Sequence, residues 1–200
     1  MISELRYSAA MPAAPFIFPE SRQIAKLMLE YDEKGIIKQI VHENNILQVK
    51  TKRNEEKLFR YAYNRLIVLP DSLKCIIAKG DDSDGRYVNL ISIIRYDNLF
   101  REFIEEVYFE RLINNNPITD YDIMSFFERK GREDANVSSW KYTTVYRLRR
   151  LYTRALFEAG LLKAPSGNRE ICAPYIGQST IDTLLKEKYG NYIKITLGNK

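Results

Sequence analysis

The chain has 200 residues, 45% of them hydrophobic, and a formal net charge of +5, which suits one compact domain or two small ones with a buried core. No apolar run approaches the roughly 18 residues that a membrane helix needs, and the N-terminus lacks a secretory signal pattern. We therefore expect a cytoplasmic protein without a membrane partner. Two cysteines, Cys75 and Cys172, and one histidine, His42, supply too few ligands for a metal site. The composition thus predicts no cofactor, no metal and no catalytic residue.

The N-terminal segment 1–18 is predicted to be an irregular arm. Pro12, Pro15 and Pro19 interrupt any helix in this part of the chain. The apolar run Phe16-Ile17-Phe18 is expected to dock the arm on the body of the protein.

Residues 19–80 are predicted to form a helical unit of the helix-turn-helix type. Apolar residues recur at helical spacing from Ile24 to Tyr31 and from Ile36 to Val41, and a third helix is predicted from about Thr51 to Leu69. A basic helix after a turn is typical of DNA recognition, although three-helix units without a nucleic-acid ligand are common. The nucleic-acid contacts that we predict here are Lys50, Lys52, Arg53, Lys57 and Arg60.

Residues 81–200 are predicted to form a helical core that ends in a winged-helix-like unit. The acidic stretch Asp81–Gly85 resembles part of a calcium loop but lacks the downstream glutamate, so it is predicted to connect two helices. Apolar helices are expected at 90–96 and 100–113, and Thr119 is the predicted N-cap of a helix ending near Gly131. Most aromatic residues here occupy helical core positions, which favours packing over base stacking.

A strongly basic helix follows. Between Asp134 and Glu158 the chain carries five cations and no acid, which equals the net charge of the whole protein. At 100° per residue three of the arginines fall within about 60° of one another, opposite an apolar face. Ser138 and Ser139 are the N-cap candidates. Exposed arginines on an amphipathic helix often serve only solubility, but this uninterrupted row favours nucleic-acid contact by Lys141, Thr143, Arg147, Arg150 and Arg154.

The segment after this helix resembles a wing. Gly160 is predicted to end the helix, and two short extended runs flank a turn that contains Pro165 and Gly167. A β-hairpin is therefore expected near residues 161–174, with Arg169 contacting the DNA backbone from its tip. The predicted class is mainly α, with two small helix-turn-helix or winged-helix units packed together.

Several helix signatures in their order along the chain resemble the BrxA family of bacterial BREX phage-exclusion systems. They are Pro19–Ala25, Leu66–Pro70, Thr119–Asp122 followed by Phe126-Phe127, and Arg149–Leu162. The resemblance covers about residues 16 to 190. It implies a small, mostly helical, DNA-binding component of an anti-phage defence operon, with other BREX proteins as partners and no catalytic site. A likeness of such proteins to the NusB antitermination fold makes RNA an alternative ligand.

Three functions are left open by these observations. The first is a double-stranded DNA binder that contacts mainly backbone phosphates. The second is an RNA-binding module, which would prefer single strands or A-form duplexes. The third is a scaffold whose basic faces bind acidic proteins. An enzyme is disfavoured because no acid, base, nucleophile or metal ligands can be assembled from the sequence.

Overall fold

The computed structural model describes residues 7, 9, 11 and 15–198, and these residues are mainly helical, as predicted. A π-helical turn, Ile104–Tyr108, lies between two short helices. No helix in these ranges is both long and apolar enough to cross a membrane. The helices are α1 (Phe18–Glu30), α2 (Lys34–Glu43), α3 (Lys52–Leu66), α4 (Asp71–Lys79), α5 (Asp82–Tyr96), α6 (Asn98–Phe103), α7 (Phe109–Ile113), α8 (Asp120–Glu133), α9 (Ala135–Ser138), α10 (Tyr142–Glu158), α11 (Gln178–Lys186) and α12 (Gly190–Leu197).

Helix α5 forms the centre of the fold. Every side chain from Tyr87 to Ile94 is buried, as expected of a helix that other helices surround. Helices α1, α3, α4, α6 and α10 all contact it. One hydrophobic cluster extends from Met11 to Ile195 and includes side chains from both sides of residue 80. The division into units 19–80 and 81–200 stays a prediction.

Local capping signals place the ends of several helices. Thr119 and Asp122 form a capping box: the Thr119 amide donates to Asp122 Oδ2 (2.8 Å), and the Asp122 amide donates to Thr119 Oγ1 (3.2 Å). Thr51 caps α3 by accepting a hydrogen bond from the Asn54 amide (3.3 Å). Gly160 follows the end of α10 with φ 78°, where a residue without a side chain is favoured. These predicted caps are confirmed.

The docking of the arm is confirmed for Phe16 and Phe18, which are both buried. Phe18 is also the first residue of α1. Asn89 in α5 donates a hydrogen bond to the Phe16 carbonyl (2.8 Å). Because Asn89 is buried, this bond fixes the arm against the central helix. The predicted break at Pro12 lies outside the described residues.

The acidic stretch Asp81–Gly85 is not the predicted connection between helices, because α5 begins at Asp82. Asp82 forms an ion pair with Arg22 (2.7 Å), and Asp84 accepts a hydrogen bond from the Gly177 amide (2.9 Å). Carboxylates are favoured in the first turn of a helix, where unpaired amides and the helix dipole attract negative charge. The acidic run therefore marks a helix start.

The predicted β-hairpin wing near residues 161–174 is also corrected, since the described residues contain isolated bridges but no strand. One bridge joins Leu162 to Ile171, and a second joins Arg169 to Ile118, which lies before α8. The segment therefore pairs with itself only at an isolated bridge, and its second pairing joins it to the chain ahead of α8. The helix-turn-helix assignment of 19–80 stays a prediction, with residues 44–51 connecting α2 to α3.

Candidate nucleic-acid interface

Helix α10 is held by an aromatic core on one face. Tyr152 is fully buried, and its ring centroid lies 4.8 Å from that of Phe100, 5.2 Å from Phe103 and 5.7 Å from Phe127. Aromatic packing of this kind fixes the rotation of the helix about its axis. The opposite, basic face is consequently presented to solvent, as the sequence pattern predicts.

The start of α10 differs from the prediction. Ser138 and Ser139 do not cap α10, because Ser138 is the last residue of α9. The Ser139 hydroxyl donates a hydrogen bond to the Asn136 carbonyl (2.7 Å). Lys141 precedes α10 and makes no side-chain cap. The Asp134 carboxylate caps α9 (2.8 Å to the Asn136 amide), so the serines belong to a separate short helix.

A cleft of about 660 Å³ opens beside the exposed face of α10. It lies between this helix, the beginning of α8 and the segment that follows Gly160. Five arginines and two carboxylates line it, so its charge is predominantly positive. The charged lining residues are Arg147, Arg149, Arg150, Arg154, Arg169, Asp120 and Glu158.

The arginines of the cleft fall into two groups. Arg147 and Arg150 are exposed and have no acidic partner within the described part of the chain. Arg154 is exposed as well, but its Nε lies 2.5 Å from Glu158 Oε1 one helical turn away. Surface pairs at this spacing are weak, so the Arg154 guanidinium can exchange Glu158 for another anion.

Arg149 and Arg169 share one carboxylate. Asp120 Oδ1 lies 3.1 Å from Arg149 Nη2 and 2.7 Å from Arg169 Nη2. The hydrogen bond from Arg169 and the charges of both arginines lower the pKa of Asp120. Both guanidinium groups are largely buried, with side-chain exposures of 14% and 11%. The Arg169 side chain is therefore held against the start of α8 and is not free in solvent as a wing-tip contact would be.

The second basic surface predicted from the sequence lies on α3 and just before it. Lys50, Lys52, Arg53 and Arg60 are exposed, and Lys57 is half-buried. None of the five has an acidic partner among the described residues, whereas the nearby acids pair elsewhere. The α3 surface is defined by these five residues: Lys50, Lys52, Arg53, Lys57 and Arg60.

The remaining predicted residues of the C-terminal basic helix are exposed. Lys141 and Thr143 stand at the entrance of α10. We define the α10 surface as the exposed residues Lys141, Thr143, Arg147, Arg150 and Arg154. No hydrogen bond or ion pair within residues 15–198 joins it to the α3 surface.

One exposed aromatic pair is not among the residues predicted from the sequence. Tyr142 and Tyr146 are 69% and 45% exposed, and their rings stack with centroids 6.2 Å apart and planes inclined by 27°. The signal was present in the sequence, because residues four apart on a helix are neighbours. It was obscured by the many aromatic residues that do pack in the core.

The described residues contain no group of three or more histidine, cysteine, aspartate or glutamate side chains placed to hold a metal ion. The two cysteines are unpaired, and the acids of the Asp81–Gly85 stretch stabilise the start of α5.

The fold and the cleft define a mainly helical protein whose charged surface is suited to a polyanion. The BrxA family model matches residues 5–188. The chain is also 32% identical over 199 residues to the BREX protein BrxA of Bacillus cereus (strain H3081.97), covering 99% of this chain and all of that protein. The chain belongs to the BrxA family.

A solved structure shares the fold. The crystal structure of an uncharacterized protein from Magnetospirillum magneticum superimposes with a TM-score of 0.78, covering 96% of this chain and 97% of that one. The two sequences are 21% identical, so this likeness concerns the fold alone.

Proposed function

We propose that the protein is a non-catalytic component of a BREX phage-defence system that binds double-stranded DNA through backbone phosphates. The observation that carries this proposal is the exposed pair Arg147 and Arg150, which lie beside an arginine-lined cleft without acidic partners in the described residues. The name of the Bacillus cereus relative supports the assignment to a BREX system.

The electrostatics of α10 favour a phosphate backbone as the ligand. Arginine presents a planar fork of donors that matches phosphate oxygens, and an exposed guanidinium loses little hydration before it makes contact. Binding of a duplex releases condensed counterions, so several such contacts give affinity without base recognition. The helix has 17 residues and is about 25 Å long, enough to lie along a major groove.

The α3 surface is proposed to contact the same duplex. Its cations lie on a different helix, so each surface would neutralise its own set of phosphates. A long DNA site would engage both surfaces, whereas a short duplex would engage one. We also propose weak sequence preference, because few side chains at the two helix entrances are of the kind that reads base edges.

A salt-titrated binding assay tests the proposal. We would measure the affinity of the wild-type protein for duplex DNA, single-stranded DNA and duplex RNA by fluorescence anisotropy over a range of salt concentrations. Duplex DNA is expected to bind most tightly, with an affinity that falls steeply as salt increases. In the R147A/R150A variant the slope of log K against log salt should become shallower by about 1.8 for B-DNA.

The matched control removes two cations elsewhere. Lys186 of α11 and Lys194 of α12 are exposed, so K186A/K194A lowers the net charge equally. This control should leave the slope nearly unchanged. Tighter binding to duplex RNA would favour the RNA-binding alternative, and negligible binding to every nucleic acid near physiological salt would favour a scaffold for acidic proteins.

A further inference from the structure

The cleft beside α10 has a size that does not suit a double helix. Its volume of about 660 Å³ lies within the range of roughly 300–1,000 Å³ typical of pockets for small molecules. A B-DNA duplex can lie across its mouth but cannot enter it. Contacts to the phosphates of a duplex therefore do not fill the cleft. It has room for a smaller group, such as a single nucleotide.

One of the two stacked tyrosines belongs to the lining of the cleft. Tyr146 lines the cleft, and Tyr142 stacks on it one helical turn earlier. The Arg149 guanidinium lies 5.9 Å from the centroid of the Tyr146 ring, and this cation–π contact restrains the ring. Large exposed rings that are restrained in this way form a platform on which a planar group can stack.

Aromatic and cationic side chains follow one another along this face of α10. Tyr142, Tyr146, Arg150 and Arg154 succeed each other at intervals of four residues, so they form one row about 6 Å apart along the helix. The first two members offer ring faces, and the last two offer guanidinium groups. This combination is typical of single-stranded nucleic-acid sites, where bases stack on aromatic rings and phosphates meet arginines.

We propose that the cleft and the Tyr142–Tyr146 pair bind the unpaired nucleotides of a single-stranded DNA tail next to a duplex. A base stacks on the tyrosine pair, and the adjoining phosphates contact Arg150 and Arg154 in the cleft. This inference rests on the proposed duplex-binding function and adds a preference for duplexes with single-stranded ends. A tail reaches the cleft where a paired strand cannot, because its bases are free to turn away from the helix axis.

A comparison of duplex ends tests the inference. We would compare the affinity of the full-length protein for a blunt duplex, for the same duplex with a short thymidine tail, and for one with an abasic tail of equal length. The thymidine tail is expected to tighten binding by about 10-fold, since stacking on aromatic side chains supplies this gain. The abasic tail should tighten binding much less. Equal tightening by both tails would overturn the inference, because phosphates alone would then explain the gain.

Variants at the tyrosine pair assign the effect to the platform. In Y142A/Y146A the tailed duplex should bind no more tightly than the blunt one, whereas Y142F/Y146F should keep the preference because the rings remain. Tyr175 is 84% exposed and does not line the cleft, so Y175A is the matched control and should keep the preference as well. Melting temperatures would show that each variant is folded, as expected for substitutions of exposed side chains.

A direct stacking signal gives a second readout. With 2-aminopurine in the tail, the wild-type protein should quench its fluorescence on binding, and Y142A/Y146A should not. Equal binding of tailed and blunt duplexes by the wild-type protein would overturn this inference and leave the duplex proposal standing. Failure of every duplex to bind would instead reject the proposed function itself.

Discussion

The α10 and α3 surfaces carry similar charge but differ in how that charge is held. The α3 surface combines three lysines with Arg53 and Arg60, and only Arg60 has a described aromatic contact, 5.1 Å from the Tyr61 ring. The α10 surface has four cations, of which all but Lys141 are arginines, and it borders a cleft in which Asp120 holds Arg149 and Arg169. Lysine is a mobile point charge, whereas arginine is a planar fork whose direction matters.

This difference separates two contributions to binding. Mobile lysines attract any polyanion and release counterions, but they lose side-chain entropy when they are ordered. The arginines of the α10 surface border a shaped cleft, so they contribute geometry as well as charge. Arg149 and Arg169, which line the same cleft, are already ordered by their ion pairs with Asp120. We therefore expect α10 to dominate affinity, and the following predictions test that expectation.

The largest effect is expected when three charges are removed from the α10 surface, and removal of three charges from the α3 surface serves as the comparison. R147A/R150A/R154A should weaken binding to a long duplex by one to two orders of magnitude and lower the salt slope by about 2.7. K52A/R53A/K57A, which removes the same charge from the α3 surface, should weaken binding several-fold less. Anisotropy titrations at several salt concentrations measure both quantities.

Combination of the two triple variants shows whether the surfaces act independently. Their losses in binding free energy should add on a long duplex, since the two sets of residues share no described contact. A variant of the α3 surface that has no effect on any length of duplex would show that this helix serves packing or a protein partner. An α3 loss larger than the α10 loss would reverse the comparison.

A second prediction distinguishes charge from geometry. R147K/R150K/R154K keeps the charge of α10 but removes the guanidinium fork, so affinity should fall several-fold while the salt slope stays nearly constant. The corresponding change on the other helix, R53K/R60K, should have little effect. If both lysine variants bind like the wild type, the shape of the α10 surface is irrelevant to the duplex and only its charge counts.

A smaller effect is expected at Asp120, which neutralises Arg149 and Arg169 at the edge of the cleft. D120N should strengthen binding to DNA a few-fold because it removes the one negative charge shared by the two arginines. Since these arginines lower its pKa, the carboxylate stays ionised throughout the pH range of a binding assay. Weaker binding by D120N would show that the carboxylate orients the arginines for DNA and does not compete with it.

The sign of the pH effect on stability follows from the same pKa. Because the folded-state pKa of Asp120 is lowered, its ion pairs stabilise the fold above the unfolded pKa of about 3.9. That contribution is lost as the pH falls through the folded-state value. Acid unfolding monitored by circular dichroism should therefore show a smaller loss of stability in D120N than in the wild type below this range.

The parts of the fold that depend on residues close together in the sequence could be predicted. The caps at Thr51 and Thr119 and the buried face of α10 arise from contacts within a few residues or from helical periodicity. The pairing of Arg169 with Asp120 joins residues 49 apart, and no local pattern encodes it. The predicted wing failed for the same reason, since Arg169 bridges to Ile118 before α8.

The candidate site shows the same limit. Its outer arginines were predicted because a row of like charges is visible in a helical projection. The cleft was not, because its walls come from α8, α10 and the segment after Gly160, which meet only in the folded chain. The tyrosine pair had a local signal, but only its exposure in the folded chain separates it from the core aromatics.

The smallest effect on DNA binding is expected at Arg169, which distinguishes the observed arrangement from the predicted wing. Its side chain is 11% exposed and hydrogen-bonded to Asp120, so R169A should change duplex affinity by no more than about twofold. The same variant should lower the melting temperature by a few degrees, because it breaks the pair and the contact with the Ile118 carbonyl (3.4 Å). The matched change at an exposed cation, R150A, should show the opposite pattern, with lower affinity and an unchanged melting temperature. A loss of affinity in R169A as large as that in R150A, without a loss of stability, would mean that Arg169 leaves Asp120 to contact the DNA backbone, as a wing-tip residue does.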